Sequence, residues 1–240
     1  MKPLQHAQIS QKVHGGTWQE YIEIHNFLDS SKTTCAHFKH RFLLHHAEGI
    51  ELGVRIFGEK FTNSVGKSIE IRKLLTEHLI EDVGKVVTVE DWAGDLLPDR
   101  QSSFYRFLEK KRGQIEANEV SVENQLLDSF NLSEKDRANV KNFLLFPLNN
   151  STHPAALLFS HNSFAIFLAE RILGHAFVKA IKSRQKQFVS VREVLERLTF
   201  GRMKTIFSPV EIIAQTSSQD WMRGIEASKA QMEKKRLALI

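Results

Sequence analysis

Apolar side chains recur at helical spacing along most of this 240-residue chain. Ile22, Ile24, Phe27 and Leu28 predict a helix over about 18–31. Phe38, Phe42, Leu43, Ile50, Val54 and Phe57 predict a longer one over about 34–57, with Gly58 as its stop. Short β-prone stretches flank Asn63-Ser64-Val65-Gly66, so a small hairpin is expected within about 61–71. A third helix is predicted at about 72–82. A short fourth is predicted at about 88–97, opening at Thr88 with Glu90 and Asp91 in its first turn.

The same pattern returns further along. Shifted by 116 positions, residues 25–58 fall on 141–174 without a gap. Asn26, Phe27 and Leu28 then meet Asn142, Phe143 and Leu144, and His37 and His45 meet His153 and His161. Ile50, Leu52, Arg55, Ile56 and Gly58 meet Ile166, Leu168, Arg171, Ile172 and Gly174. These are ten identities in 34 positions, where residue usage of this kind gives roughly two by chance. After a four-residue insertion the match resumes, with Ile69–Leu75 on Val189–Leu195. The fold expected is therefore mainly α: two diverged helical repeat units, each with a small β-hairpin. The corresponding division is 1–98 for the first unit, 99–131 for a helical linker, 132–218 for the second unit and 219–240 for a charged C-terminal helix.

An apolar content of 42% is ordinary and allows a real core. No run of about 18 apolar residues exists, so no membrane span is expected. The opening Met1–His6 has no apolar region of the secretory type, and Cys35 is the sole cysteine. A disulfide within the chain and a cysteine-rich zinc site are thereby excluded, and a reducing, cytoplasmic setting is expected. Charge is uneven. Residues 1–120 carry 16 Lys+Arg and 17 Asp+Glu, which leaves 17 and 11 of the totals of 33 and 28 for residues 121–240. Histidine leans the other way, with eight of eleven before residue 79.

In the first unit, ionisable side chains recur one helical turn apart: His25 with Asp29, His45 with Glu48, and His78 with Asp82. Such pairs, aimed inward from several helices, can hold one cation. Imidazole with carboxylate suits a divalent transition metal such as zinc, iron or manganese. His25, Asp29, His45, Glu48, His78 and Asp82 are therefore the candidate ligands, with His40 and His46 at other helical angles and outside the set. The second unit serves as an internal control. In the shifted register Asp29, Glu48 and His78 become Leu145, Phe164 and Leu198. His25 becomes Lys141, Asp82 becomes Arg202, and only His45 is kept, as His161. Loss to apolar residues is what a buried polar site leaves when it is refilled.

The stretches Tyr21–Lys32, His40–Gly49, Phe61–Lys67 and Glu77–Gly84 resemble an uncharacterised family of short bacterial and phage proteins, a domain of unknown function, over roughly residues 1–95. The resemblance implies that His25, Asp29, Lys32, His40, Arg41, His45, His46, Glu48, His78 and Asp82 belong to a shared pattern. It implies no activity. The chain departs from that pattern at Val65, where an acid is usual, and in carrying a second copy.

Two functions compete. One is a metal-dependent hydrolase of a phosphoester or nucleotide, with Lys32 and Arg41 clamping the phosphate. The pattern is similar to that of His-Asp phosphohydrolases, but their adjacent His-Asp dyad is replaced here by His45-His46. The other is a non-catalytic binding or structural protein. Its basic second unit would meet nucleic acid through Lys182, Arg184 and Lys186, or a protein partner or second copy through the C-terminal helix. Whether the chain is an enzyme is left open by the sequence.

Overall fold

The computed structural model describes residues 1–95, 125–180, 186–216 and 219–223. Most of the expected linker 99–131 and of the expected tail helix 219–240 lies outside the described residues, as do Lys182 and Arg184. The described structure is mainly helical, with two small antiparallel two-stranded sheets. No described helix is long and apolar enough to cross a membrane. The chain gathers into two compact units, Met1–Thr88 together with the segment around Asp220–Arg223, and Val89–Thr216.

The first unit opens with α1 (Pro3–His14), α2 (Gln19–Asp29) and a 3-10 turn, Ser30–Thr33. A second 3-10 stretch, Phe38–Leu43, leads to α3 (Ala47–Phe57). Strands β1 (Lys60–Thr62) and β2 (Ser68–Glu70) pair with Phe61 opposite Ile69, and α4 (Ile71–Val83) follows. The core between α2, α3 and α4 is built from Tyr21, Phe27, Leu28, Phe42, Leu44, Leu52, Leu74, Leu75 and Leu79, all fully buried or nearly so. Each buried leucine contributes about 1.5–3 kcal/mol. Gly53 lets α3 approach α4 closely, since a Cβ there would lie 2.4 Å from the Leu75 side chain.

Two expectations change here. The helix expected over 34–57 is broken at His45-His46. His46 is extended (φ −151°, ψ 166°), and its side chain caps α3 by accepting from the Gly49 amide. The Leu44 carbonyl folds onto the first turn of α3 and leaves no room for a Cβ on Gly49. Apolar periodicity ran through the break because both sides face the same core. The second change is α1, which carries no apolar stripe: its buried face is His6, Ala7, Ser10 and His14.

The hairpin turn ties these parts together. Asn63 is buried; its amide donates to the His14 carbonyl and to the Tyr21 hydroxyl, and its side-chain oxygen accepts from the Lys67 amide. Glu20 accepts from the amides of Thr17 and Ser64. The Thr62–Lys67 motif thus has a local structural duty.

The second unit contains α5 (Val89–Gly94), which sequence grouped with the first; α5 packs against the 3-10 stretch Pro154–Phe159. It continues with α6 (Glu134–Leu145), the turn Phe146–Asn149, that 3-10 stretch, α7 (Ser163–Leu173), β3 (Ala176–Val178), β4 (Phe188–Ser190), α8 (Val191–Met203) and α9 (Pro209–Ala214). Element bounds from Ser30 to Thr62 recur 116 residues later, at Phe146 to Val178. Those from Ser68 to Gly94 recur 120 residues later, at Phe188 to Ala214. Gly58 and Gly174 end their helices with the same positive φ, 84° and 88°.

Candidate metal centre

The break before α3 turns the His45 ring into the space between α2 and α4. Asp29 reaches it from the last residue of α2, and His78 and Asp82 reach it from successive turns of α4. All four are buried, and one donor atom from each lies within 4.8 Å of the others. His45 Nε2 stands 3.3 Å from Asp82 Oδ2 and 3.6 Å from Asp29 Oδ1, and His78 Nε2 stands 3.7 Å from Asp82 Oδ2. Bonds of about 2.0–2.2 Å to one ion separate tetrahedral ligand atoms by roughly 3.3–3.6 Å. His78 Nε2 is buried and makes no hydrogen bond. Polar atoms that converge without bonding one another normally cost free energy. A cation at their centre removes that cost.

Protonation suits ligation. Burial lowers His25 to about 3 and His45 to about 4, and lowers His78 well below its usual 6.5. Burial pushes Asp29 and Asp82 upward. Their histidine neighbours, with Lys32 for Asp29, outweigh it and hold both below the usual carboxylate range. Neutral imidazole with ionised carboxylate is the form that binds metal.

A ring of partners fixes the four. His25 Nδ1 lies 3.0 Å from His78 Nδ1, and His25 Nε2 lies 2.9 Å from Ser10 Oγ. For His78 to offer its Nε2 lone pair, its Nδ1–H donates to His25, and His25 Nε2–H donates to Ser10. His25 thus holds the His78 ring from behind rather than joining the four. His40 Nε2 lies 3.1 Å from Asp29 Oδ1. Lys32 Nζ is 2.6 Å from Asp29 Oδ2. Arg41 reaches Asp82 Oδ2 at 3.1 Å and donates to the Met222 carbonyl at 3.0 Å. The Met1 amino group also pairs with Asp82.

Of the six residues proposed from sequence, four come together, and His25 stands one hydrogen bond behind them. Glu48 is buried but turned to His46, 3.2 Å from its Nδ1, because the helix on which His45 and Glu48 were to share a face does not exist. Lys32 and Arg41, expected on a phosphate, are paired with the two carboxylates. Lys186 is exposed just ahead of β4. His6 was missed. It is fully buried on α1, and its ring stacks on His78 with centroids 3.8 Å apart.

The histidine shifts set a pH dependence for the metal-free protein. Below about pH 6.5 the unfolded chain takes up protons that buried His25, His45 and His78 refuse. Stability therefore falls as pH drops from about 6.5 toward 4, by a few kcal/mol in order of magnitude. His6 has the opposite sign: burial lowers it, but Asp82 and Glu81 outweigh burial and raise it. Its contribution is full at low pH and is lost as pH rises through its raised value, so it offsets only part of the loss. Urea midpoints of chelator-treated protein should be lower at pH 4.5 than at pH 7. Equal midpoints would show these rings to be solvated.

Residues 1–101 match a family model described as a domain of unknown function, DUF6915. No curated protein and no solved structure matches the chain.

Proposed function

We propose that the first unit binds one divalent transition-metal ion, zinc, iron or manganese, through Asp29, His45, His78 and Asp82. The observation that carries this reading is the convergence of four buried side chains, each with a donor atom within 4.8 Å of the others. Two nitrogens and two oxygens suit these metals.

We read the two units as diverged copies of one ancestor, of which only the first kept the centre. Support comes from the recurring element bounds and from the fate of the ligands. In the second unit His161 is fully buried, and its Nε2 meets Arg202 Nη1 at 2.9 Å. Burial, then Arg202, holds His161 well below its usual value. A guanidinium thus stands beside the one retained histidine, at the position matching Asp82. Metal analysis of purified protein should give one equivalent per chain, unchanged by His161→Ala. Two equivalents, or none after dialysis against a zinc, iron or manganese salt, would overturn the reading.

Hydrolysis of a phosphoester or nucleotide is the catalytic version of this proposal. Its support is Lys32, which sits against Asp29 with about a third of its side chain exposed and can meet an anion from outside. Metal-dependent phosphate release from nucleotides that fails in Lys32→Ala would carry it. Nucleic-acid binding through the basic second unit, and assembly through the C-terminal segment, are the non-catalytic alternatives. Exposed Lys186 beside Phe188, itself 61% exposed, supports the first of these.

A further inference from the structure

We propose that His6, on α1, is a fifth protein ligand of the centre, making the set three histidines and two aspartates. The inference rests on the metal reading above and adds a residue that the sequence pattern gave no reason to include.

His6 and His78 share one arrangement. His78 has its Nδ1 engaged by His25 and its Nε2 buried without a hydrogen bond. His6 has its Nδ1 engaged by the Glu81 carboxylate and its Nε2 equally buried without one. A histidine whose outer nitrogen donates to a carboxylate while its inner nitrogen is left bare is the usual form of a metal-bound imidazole. The inner nitrogen faces the centre: His6 Nε2 is 3.3 Å from Asp82 Oδ1. That distance again matches the separation of two atoms on one ion, roughly 3.0–3.6 Å.

His6 approaches the opposite oxygen of Asp82 from the one that faces His45 and His78. It enters the ligand sphere when Asp82 chelates through both oxygens, and the Met1 ammonium now against Oδ1 gives way to the incoming cation by like-charge repulsion. The stacked His78 ring fixes the plane of His6, so little side-chain freedom is lost on binding. The second unit bears on the same point. The offset of 116 residues that puts Leu145 opposite Asp29 also puts Val122 opposite His6 and Leu126 opposite Ser10. The α1 residues lose their polarity together with the ligands they accompany.

Five ligands supplying three nitrogens and, with Asp82 chelating, three oxygens exceed the four donors of a closed zinc site and favour iron, manganese or cobalt in five- or six-coordination. Cobalt(II) is therefore the probe. Titrated into the full chain, it should give the weak visible absorption of a five- or six-coordinate ion. Its paramagnetic proton spectrum should contain three exchangeable, strongly shifted imidazole N–H signals.

His6→Ala should reduce the three signals to two, strengthen the visible band towards the four-coordinate form and weaken cobalt binding about 10-fold or more. Glu81→Gln, which keeps the ring, should weaken binding about 10-fold while leaving three signals. Two signals in the unaltered protein would overturn the assignment even if His6→Ala failed to fold. So would a folded His6→Ala with an unchanged spectrum. Failure of the unaltered protein to bind cobalt, zinc, iron or manganese would instead reject the centre as a whole.

Discussion

Asp82→Ala is expected to abolish metal binding and to destabilise the first unit by about 3–5 kcal/mol even without metal. Asp82 sits where every partial charge of the site meets. It pairs with Arg41 at 3.1 Å and with the Met1 amino group, and it faces His6, His45 and His78. Its removal leaves the largely buried Arg41 guanidinium with the Met222 carbonyl but no carboxylate, and uncompensated buried charge is the costly case. It also withdraws one of the two carboxylates that raise His6. Chemical denaturation of chelator-treated protein reads the stability loss, and metal analysis reads the binding. A variant within about 0.5 kcal/mol of the unaltered chain would mean that Asp82 is solvated and that the cluster is not a buried site.

His78→Leu is expected to do the reverse: to reduce metal content to background while leaving the metal-free fold as stable as before or more so. His78 is fully buried, with a neutral ring and a bare Nε2, so the substitution removes an unsatisfied polar atom rather than a charge. Leucine fills a similar volume, and Leu198 occupies the matching position of α8 at 3% exposure. One cost remains, the loss of a partner for His25 Nδ1. The hydroxyl of Ser10 still serves the other nitrogen of that ring. Thermal melting of the two chelator-treated proteins, with metal analysis of each before chelation, tests both halves. Retained metal would remove His78 from the ligand set, and a collapse of the fold would show that its role was structural.

Much of this was legible from spacing alone. Helices α2 and α4 and the first hairpin lie where apolar periodicity and turn residues placed them, and the second hairpin lies where the repeated pattern put it. His78 and Asp82 do share one face, as the one-turn rule requires on an unbroken helix. The rule failed at His45 and Glu48 for one physical reason. Leu44, His45 and His46 leave the helix, and the capping histidine that causes this looks in sequence like one more polar residue. His6 was hidden differently. A helix that buries histidine and serine instead of leucine shows no hydrophobic stripe, so α1 and its contribution could not be read from periodicity. His25 has the right face but stands one hydrogen bond behind the four, a difference that helical spacing does not carry. Lys32 and Arg41, expected on a phosphate, lie against Asp29 and Asp82.

The Arg202–His161 pair bears on how such a protein meets scarcity. An ion bound as proposed would have to be won from a limited cellular supply in competition with every other chelator, whereas an arginine is made with the chain. With a guanidinium against buried His161, the second unit holds a positive charge that no chelator can strip and no starvation can deny. When supply fails, the first unit should be the half that loosens and is cleared by proteases, while the second persists. Within one polypeptide, the two halves then answer the same shortage differently. Limited proteolysis of cells grown with and without a metal chelator would show this as a stable fragment from the second half alone.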